Sequence, residues 1–184
     1  NLPSFNPNNR AKLSGAQLRN RALTDTFEPG STLKPFTVAL ALELGKVTPR
    51  SVVSSGRETL RIASYRIHDQ HPEGALNVAQ VIQKSSNVGA AKIALSLPRE
   101  AMWDLFNRAG FGAAPQLGFP GEAGGRLRAA RSWRPVEQAT MAYGHGISVS
   151  LVQLARAYTM FARDGELVPL TLVKSDAPAP GTRV

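Results

Sequence analysis

Ser31 and Lys34 form the only S-x-x-K in this sequence, between the chain-turning stretch Glu28-Pro29-Gly30 and an apolar run that ends at Gly45. The spacing predicts a serine at a helix start with a lysine one turn later on the same face. A serine hydroxyl attacks a carbonyl only when something removes its proton. A lysine can do so once its pKa falls well below ~10.4, which burial and a second nearby cation both bring about. The unpaired N–H groups and positive dipole end of a helix start also stabilise the oxyanion that forms. These residues point to acyl transfer through a serine ester. The plain alternative is a helix-capping serine beside a solvated lysine, since an S-x-x-K arises by chance on the order of once in a chain this long.

Ser85, Ser86 and Asn87 make a second element, an S-x-N. The same spacing occurs at Ser4-Phe5-Asn6, in sequence that reads as loop. Ser85 to Asn87 stands instead in a break between two helical runs, where a hydroxyl and an amide can face a cleft. The hydroxyl can relay a proton to a leaving amine, and the amide can hold a substrate amide. A helix break satisfied by its own side-chain bonds is the alternative.

The elements that must position these groups read as mostly helical. Residues 1–20, rich in Asn, Pro and Arg, read as irregular. From Phe36 an apolar stripe runs through Ala39, Leu40 and Leu44, with Pro35 tolerated near the helix start and Gly45 as the stop. A short strand or hairpin is expected around Leu60 to Ile67. Asn77 caps a helix with Val78, Val81 and Ile82 inward. A second helical run spans Val88 to Leu97. After Pro98 a stripe of Met102, Leu105, Phe106 and Ala109 closes at Gly110, and residues 110–125 are glycine-rich loop. Ser150 caps a last helix, with Leu151, Leu154, Ala155 and Tyr158 inward and Gly165 at its end. Lys174 to Val184 reads as a linker or frayed end.

The 184 residues are 42% apolar, enough for one substantial core and against wholesale disorder. No stretch approaches the ~20 apolar residues of a membrane span, and Asn1-Leu2-Pro3-Ser4 lacks the pattern of a signal peptide. The sequence has no cysteine, which excludes disulfides and thiolate metal sites. His68, His71 and His145 lack metal-ligand spacing with nearby carboxylates, so no metal is expected. The net charge of +9 favours an anionic partner. Arg126, Arg128, Arg131 and Arg134 crowd one segment, but only Trp133 is interleaved among them. That is not the stacking pattern of a single-strand binder. A solvated basic loop is expected there, and no nucleic-acid partner.

S-x-x-K followed by S-x-N is two-thirds of a set shared by penicillin-binding proteins and class A β-lactamases. The flanks say more. Arg19-Asn20-Arg21-Ala22, Glu28-Pro29-Gly30-Ser31-Thr32-Leu33-Lys34-Pro35-Phe36 and Gln83-Lys84-Ser85-Ser86-Asn87-Val88-Gly89 resemble septal class B penicillin-binding proteins. So do Trp133-Arg134-Pro135-Val136-Glu137-Gln138-Ala139-Thr140 and Gln153-Leu154-Ala155-Arg156-Ala157-Tyr158, in order along almost the whole chain. The resemblance implies an α/β (α+β) fold of the penicillin-binding protein and serine β-lactamase-like transpeptidase type, here mostly its helical lobe with little sheet.

It also implies a peptidoglycan D,D-transpeptidase of septal cell-wall synthesis, at the periplasmic face of the bacterial inner membrane. Ser31 would attack the penultimate D-Ala carbonyl of a stem pentapeptide, with Lys34 as base, Ser85 as proton shuttle and Asn87 binding the acyl side chain. The implied partners are peptidoglycan stem peptides, β-lactam antibiotics and, for the full-length protein, divisome membrane proteins. No metal or organic cofactor is implied. Two features depart from the family pattern. The third motif, K-[ST]-G, is absent, and Lys174-Ser175-Asp176 is the nearest string. Residues 1–184 are therefore expected to be a partial transpeptidase domain, catalytically incomplete alone, without membrane anchor, pedestal domain or K-[ST]-G strand. His145, in Tyr143-Gly144-His145-Gly146, stands where relatives usually carry tyrosine. It lines the cleft as a substrate-binding residue, or is a satisfied loop histidine. A serine β-lactamase is a second reading, with Glu122 the lone candidate for its deacylating base. A non-catalytic β-lactam sensor or division scaffold is a third.

Overall fold

The computed structural model describes residues 6, 8–9, 11–54, 59–71, 74–177 and 179–184. Ser4 and Phe5, and with them the upstream S-x-N, lie outside the described residues. The chain opens with two single-turn helices, α1 (Gly15–Leu18) and α2 (Arg21–Thr24), so the stretch expected to be irregular contains a capped turn. Strand β1 (Thr26–Phe27) leads to a 3-10 turn, Gly30–Leu33, which runs directly into α3 (Lys34–Glu43). Then come β2 (Val52–Ser54), β3 (Leu60–Ile62), β4 (Tyr65–Ile67) and β5 (Leu76–Asn77). Helices α4 (Val78–Gln83), α5 (Asn87–Leu95) and α6 (Arg99–Arg108) follow. After a long loop and the 3-10 turn Ala130–Ser132 come α7 (Pro135–Met141), β6 (Val149–Ser150), α8 (Leu151–Ala162), β7 (Glu166–Leu167) and β8 (Thr182–Arg183).

Helix α5 is the centre. Val88, Gly89, Ala90, Ala91, Ile93 and Ala94 are all buried, and only Asn87, Lys92 and Leu95 reach toward its surface, so most of its circumference is apolar, as a largely enclosed helix must be. It packs against α3 and α7. From α7 the buried Gln138 donates through Nε2 to Ala94 O at 2.7 Å and Leu97 O at 2.9 Å, tying α7 to the C-terminal end of α5. Helix α3 is fixed by Phe36, whose ring meets Phe111, Tyr158 and Phe161 edge-on at 5.6, 5.3 and 5.0 Å.

Strands serve as ties between helices. Among the described residues they form four antiparallel pairs, β1–β6, β2–β5, β3–β4 and β7–β8. The pairing of Thr26 with Ser150 and Phe27 with Val149 holds the approach to Ser31 against the start of α8. The hairpin expected around Leu60 to Ile67 is β3–β4, turning through Ala63 at φ 52°.

Several expectations need correction. Ile82 and Leu44 are exposed. Helix α4 is only six residues long and needs only Val78 and Val81, one turn apart, as its inner face. Leu44 falls in the turn after α3. On α8, Leu151 and Ala155 face outward, and Gln153, Leu154, Ala157 and Met160 form the buried stripe. The tail is not a frayed end: β8 pairs with β7, and Val184 packs against the core. Trp133 is buried and donates through Nε1 to Arg128 O, so it belongs to the interior and not to an arginine-lined surface.

Gln153 was read from sequence only as part of a flanking string. Its buried amide accepts from Ser150 N through Oε1 and donates through Nε2 toward Gly110 O, Ala113 O and Gly124 O. One side chain thus joins the start of α8 to both ends of the loop over residues 110–125. Leucine at this position would strand those backbone groups without solvent. Gln153→Leu is expected to lower stability by on the order of 3 kcal/mol, read as a reduced urea midpoint at unchanged slope.

Candidate active site

The Ser31 turn is shaped by its own sequence. Gly30 takes φ +60°, a left-handed conformation that suits glycine. The Thr32 hydroxyl closes the turn by donating to Pro29 O at 2.6 Å, and Tyr158 Oη donates to Thr32 O at 2.6 Å from α8. Leu33 is then fully buried while Ser31 remains exposed. Ser31 therefore stands at a helix start, as the spacing predicted, without being the cap of α3. It lies in the 3-10 turn, with Lys34 as the first residue of α3.

Lys34 is 2% exposed, a burial seldom seen for lysine unless it is paired. Its Nζ lies 2.9 Å from Ser31 Oγ, 2.8 Å from Ser85 Oγ and 2.5 Å from Ser85 O, and donates to all three. Three acceptors match the three N–H groups of an ammonium. Burial pushes the Lys34 pKa down to about 8, against the opposing pull of the Asp69 carboxylate. Near pH 7 roughly one Lys34 in ten is neutral. A neutral amine offers a lone pair, so the contact with Ser31 can then run the other way, hydroxyl donating to nitrogen.

The second serine segment is held as tightly. Helix α4 ends at Gln83, and Ser85 takes φ 55°, unusual for a side-chain-bearing residue. The N–H groups of Ser85 and Ser86 return to Ile82 O and Val81 O, which closes the end of α4. Ser86 then caps α5 by accepting from Gly89 N at 2.9 Å. Gly89 has no substitute here, because a Cβ would stand 2.5 Å from Val81 Cγ2 and 3.1 Å from Ser86 Oγ. Asn87 is the half-buried first residue of α5, and among the described residues no hydrogen bond engages its side-chain amide.

Sequence reasoning missed Asp69. It follows β4 with no motif around it, yet its Oδ2 accepts from Ser86 Oγ at 2.6 Å and its Oδ1 accepts from Asn87 N at 2.5 Å and Val88 N at 3.0 Å. A carboxylate at a helix start is favoured by the exposed N–H groups and the dipole. Here it also orients the S-x-N segment. The only possible signal was the absence of any other acceptor for those N–H groups, which becomes visible only once α5 is drawn.

The remaining candidates sort cleanly. His145 is exposed, with Nδ1 3.1 Å from Glu28 Oε2 and its ring edge-on to Tyr143. It stands beside the approach to Ser31, not among the contacts of Lys34. Both oxygens of Glu122 accept loop N–H groups, from Leu117 at 3.0 Å and Phe119 at 2.6 Å, so its carboxylate is a loop brace. Lys174 and Ser175 are exposed, and Ser175 Oγ donates to Ala177 O. Among the described residues no group of His, Asp and Glu is arranged to hold a metal. A pocket of about 410 Å³ opens at the far end of α3, between Glu43, Leu105, Phe161 and Val184, away from both serine segments.

A buried lysine hydrogen-bonded to two serines from different segments is an arrangement that can support serine acyl transfer. The family model of the penicillin binding protein transpeptidase domain matches residues 1–183, and the chain belongs to that family. It is 42% identical over 184 residues to the probable peptidoglycan D,D-transpeptidase PenA of Neisseria flavescens, covering 100% of this chain and 46% of that protein. Identity to the peptidoglycan D,D-transpeptidase FtsI of Escherichia coli K12 is also 42%, over 100% of this chain and 31% of that one. The transpeptidase domain of Burkholderia pseudomallei penicillin-binding protein 3, in its apo structure, is 54% identical with a TM-score of 0.86, over 90% of this chain and 51% of that one. The chain thus spans under half the length of these curated relatives.

Asp69 pulls the Lys34 pKa upward while burial pushes it down. Asp69→Asn keeps the size and one acceptor oxygen but removes the charge. It is expected to move the Lys34 titration below about pH 8, as followed by NMR of lysine labelled at the ε-carbon.

Proposed function

We propose that this chain is the helical lobe of a peptidoglycan D,D-transpeptidase domain that cross-links stem peptides through an ester on Ser31. The observation that carries the reading is the 2.9 Å contact between Ser31 Oγ and the buried Nζ of Lys34. Neutral Lys34 takes the Ser31 proton as Oγ attacks the penultimate D-Ala carbonyl of a stem peptide. Collapse of the tetrahedral intermediate breaks the D-Ala–D-Ala bond. The leaving amine takes a proton, relayed from Lys34 through Ser85 Oγ, which lies 2.8 Å from Nζ. The released acyl group stays on Ser31. An amine on a neighbouring strand then attacks the ester, gives up a proton along the same path, and leaves as the cross-linked amide while Ser31 Oγ is reprotonated. Asn87, with its side-chain amide uncommitted among the described residues, binds the donor peptide, and His145 lines the approach.

A β-lactam presents the same carbonyl geometry and acylates Ser31, but its leaving amine remains tethered. The use of both Glu122 oxygens as loop braces weighs against a β-lactamase, which needs a second base. The K-[ST]-G strand, membrane anchor and pedestal domain belong to the rest of the full-length protein. That protein acts in septal synthesis at the periplasmic face of the inner membrane, with other division proteins. No helix among the described residues is long and apolar enough to cross a membrane.

In the full-length protein, Ser31→Ala is expected to abolish labelling by fluorescent penicillin; retained labelling would place the ester elsewhere. Lys34→Ala is expected to slow acylation at least ~100-fold. In stopped-flow measurements the wild-type acylation rate is expected to climb with pH and level off above about 8, because only the deprotonated amine accepts the proton. A flat profile through that region would remove Lys34 as the base.

A further inference from the structure

We propose that Glu28 and His145 form a positioning pair that holds the Gly144–Gly146 turn against the backbone entering Ser31, and that the pair tightens when His145 is protonated. The inference rests on the reading of Ser31 as the acylated residue.

Glu28 uses both oxygens on this turn. Oε1 accepts from Gly146 N at 2.8 Å, and Oε2 lies 3.1 Å from His145 Nδ1. A third tie runs on the backbone, where Gly30 N donates to Gly144 O at 3.3 Å. The two segments touch so closely that a Cβ on Gly144 would stand 2.2 Å from Gly30 O and 2.3 Å from Gly30 N. Movement of the turn is therefore transmitted directly to Gly30, whose neighbour is Ser31. The turn ends a buried segment, since Tyr143 is 6% exposed and Ile147 is 1% exposed, so its position is set from both sides.

Among the described residues, Glu28 and Tyr143 are the charged or titratable groups in contact with His145. Glu28 approaches from the segment before the Ser31 turn. Tyr143 presents its ring edge-on at a centroid distance of 5.4 Å, and shares a hydrogen bond with Tyr65 of β4. Burial pushes the Tyr143 hydroxyl up to about 12, so it stays neutral through the range in which imidazoles titrate. The balance between neutral and cationic His145 therefore acts on one carboxylate. A cationic imidazole adds a charge-assisted contact to Glu28 and holds its other oxygen on Gly146 N. Both side chains are more than half exposed, so the effect is small: a change of about two- to fivefold in acylation is expected.

The test is a double-mutant cycle on acylation of the full-length protein by fluorescent penicillin, at about pH 5.5 and about pH 8. Taking ratios of rates cancels the titration of Lys34, which is common to all variants. The ratio of wild type to His145→Phe is expected to be about two- to fivefold larger at the lower pH. In the Glu28→Gln background that pH dependence is expected to vanish. A ratio that is equal at both pH values, or that survives Glu28→Gln, overturns the pair. A wild-type protein that takes no penicillin at any pH overturns the acyl-transfer reading instead. The pair is then judged by a double-mutant cycle on the urea midpoint of the full-length protein, in which Glu28→Gln and His145→Phe must be non-additive. Additive losses reject it.

Discussion

One ammonium group enclosed by protein constrains everything around it. Lys34 Nζ has exchanged water for three oxygens, two of them on a segment far along the chain. Removing a charge from water is costly unless every proton finds an acceptor. Ser31 and Ser85 are therefore held as much by the need of Lys34 for partners as by their own backbones. The same enclosure prepares the lysine to lose its proton. Its pKa falls from 10.5 to about 8, which corresponds to a cost of about 3 kcal/mol for the charged form. Because the unfolded chain binds that proton more tightly, the cost to stability is present in full below pH 8 and fades as the pH rises toward 10.5.

Asp69 works in two directions at once. It fixes the start of α5 by accepting from Ser86 and from the N–H groups of Asn87 and Val88. Its negative charge also favours the protonated form of Lys34, opposing the desolvation that makes a base. Desolvation is the larger of the two, so the lysine ends below its usual range. A carboxylate bonded directly to Nζ would have inverted that balance. Its placement one hydrogen-bonded residue away, on Ser86 and not on Lys34, lets it order the segment without neutralising the amine.

The helical framework explains why these positions are reproducible. α5 is buried over most of its surface and carries Ser86 and Asn87 at its start, while α3 carries Lys34 at its start and is locked by Phe36 in an aromatic cluster. The close contact of α4 with α5 at Gly89 and the buried amides of Gln138 and Gln153 fix the remaining degrees of freedom. The strands are short pairs that tie loops to helices, and the Thr26–Phe27 pair with Val149–Ser150 aligns the approach to Ser31.

Local rules carried much of this in the sequence. Turn residues, helix caps at Asn77 and Ser150 and the stripe Met102, Leu105, Phe106 and Ala109 lie within a few residues of one another, so their chemistry is readable without a fold. The motif order likewise named Ser31, Lys34, Ser85 and Asn87. Which side of α8 is buried was misread at Leu151 and Ala155, because an amphipathic stripe is settled by what packs on it, and the buried Gln153 looked polar. Asp69 was silent for the same reason: its partners lie 17 to 19 residues away, and a lone aspartate announces nothing until a helix start arrives beside it. By itself, then, the sequence determined the candidate groups and the helices that bear them, since those depend on neighbours along the chain. Only the tertiary structure decided that Lys34 loses its water, meets Ser85 and stands near Asp69, because desolvation and charge depend on distance through space.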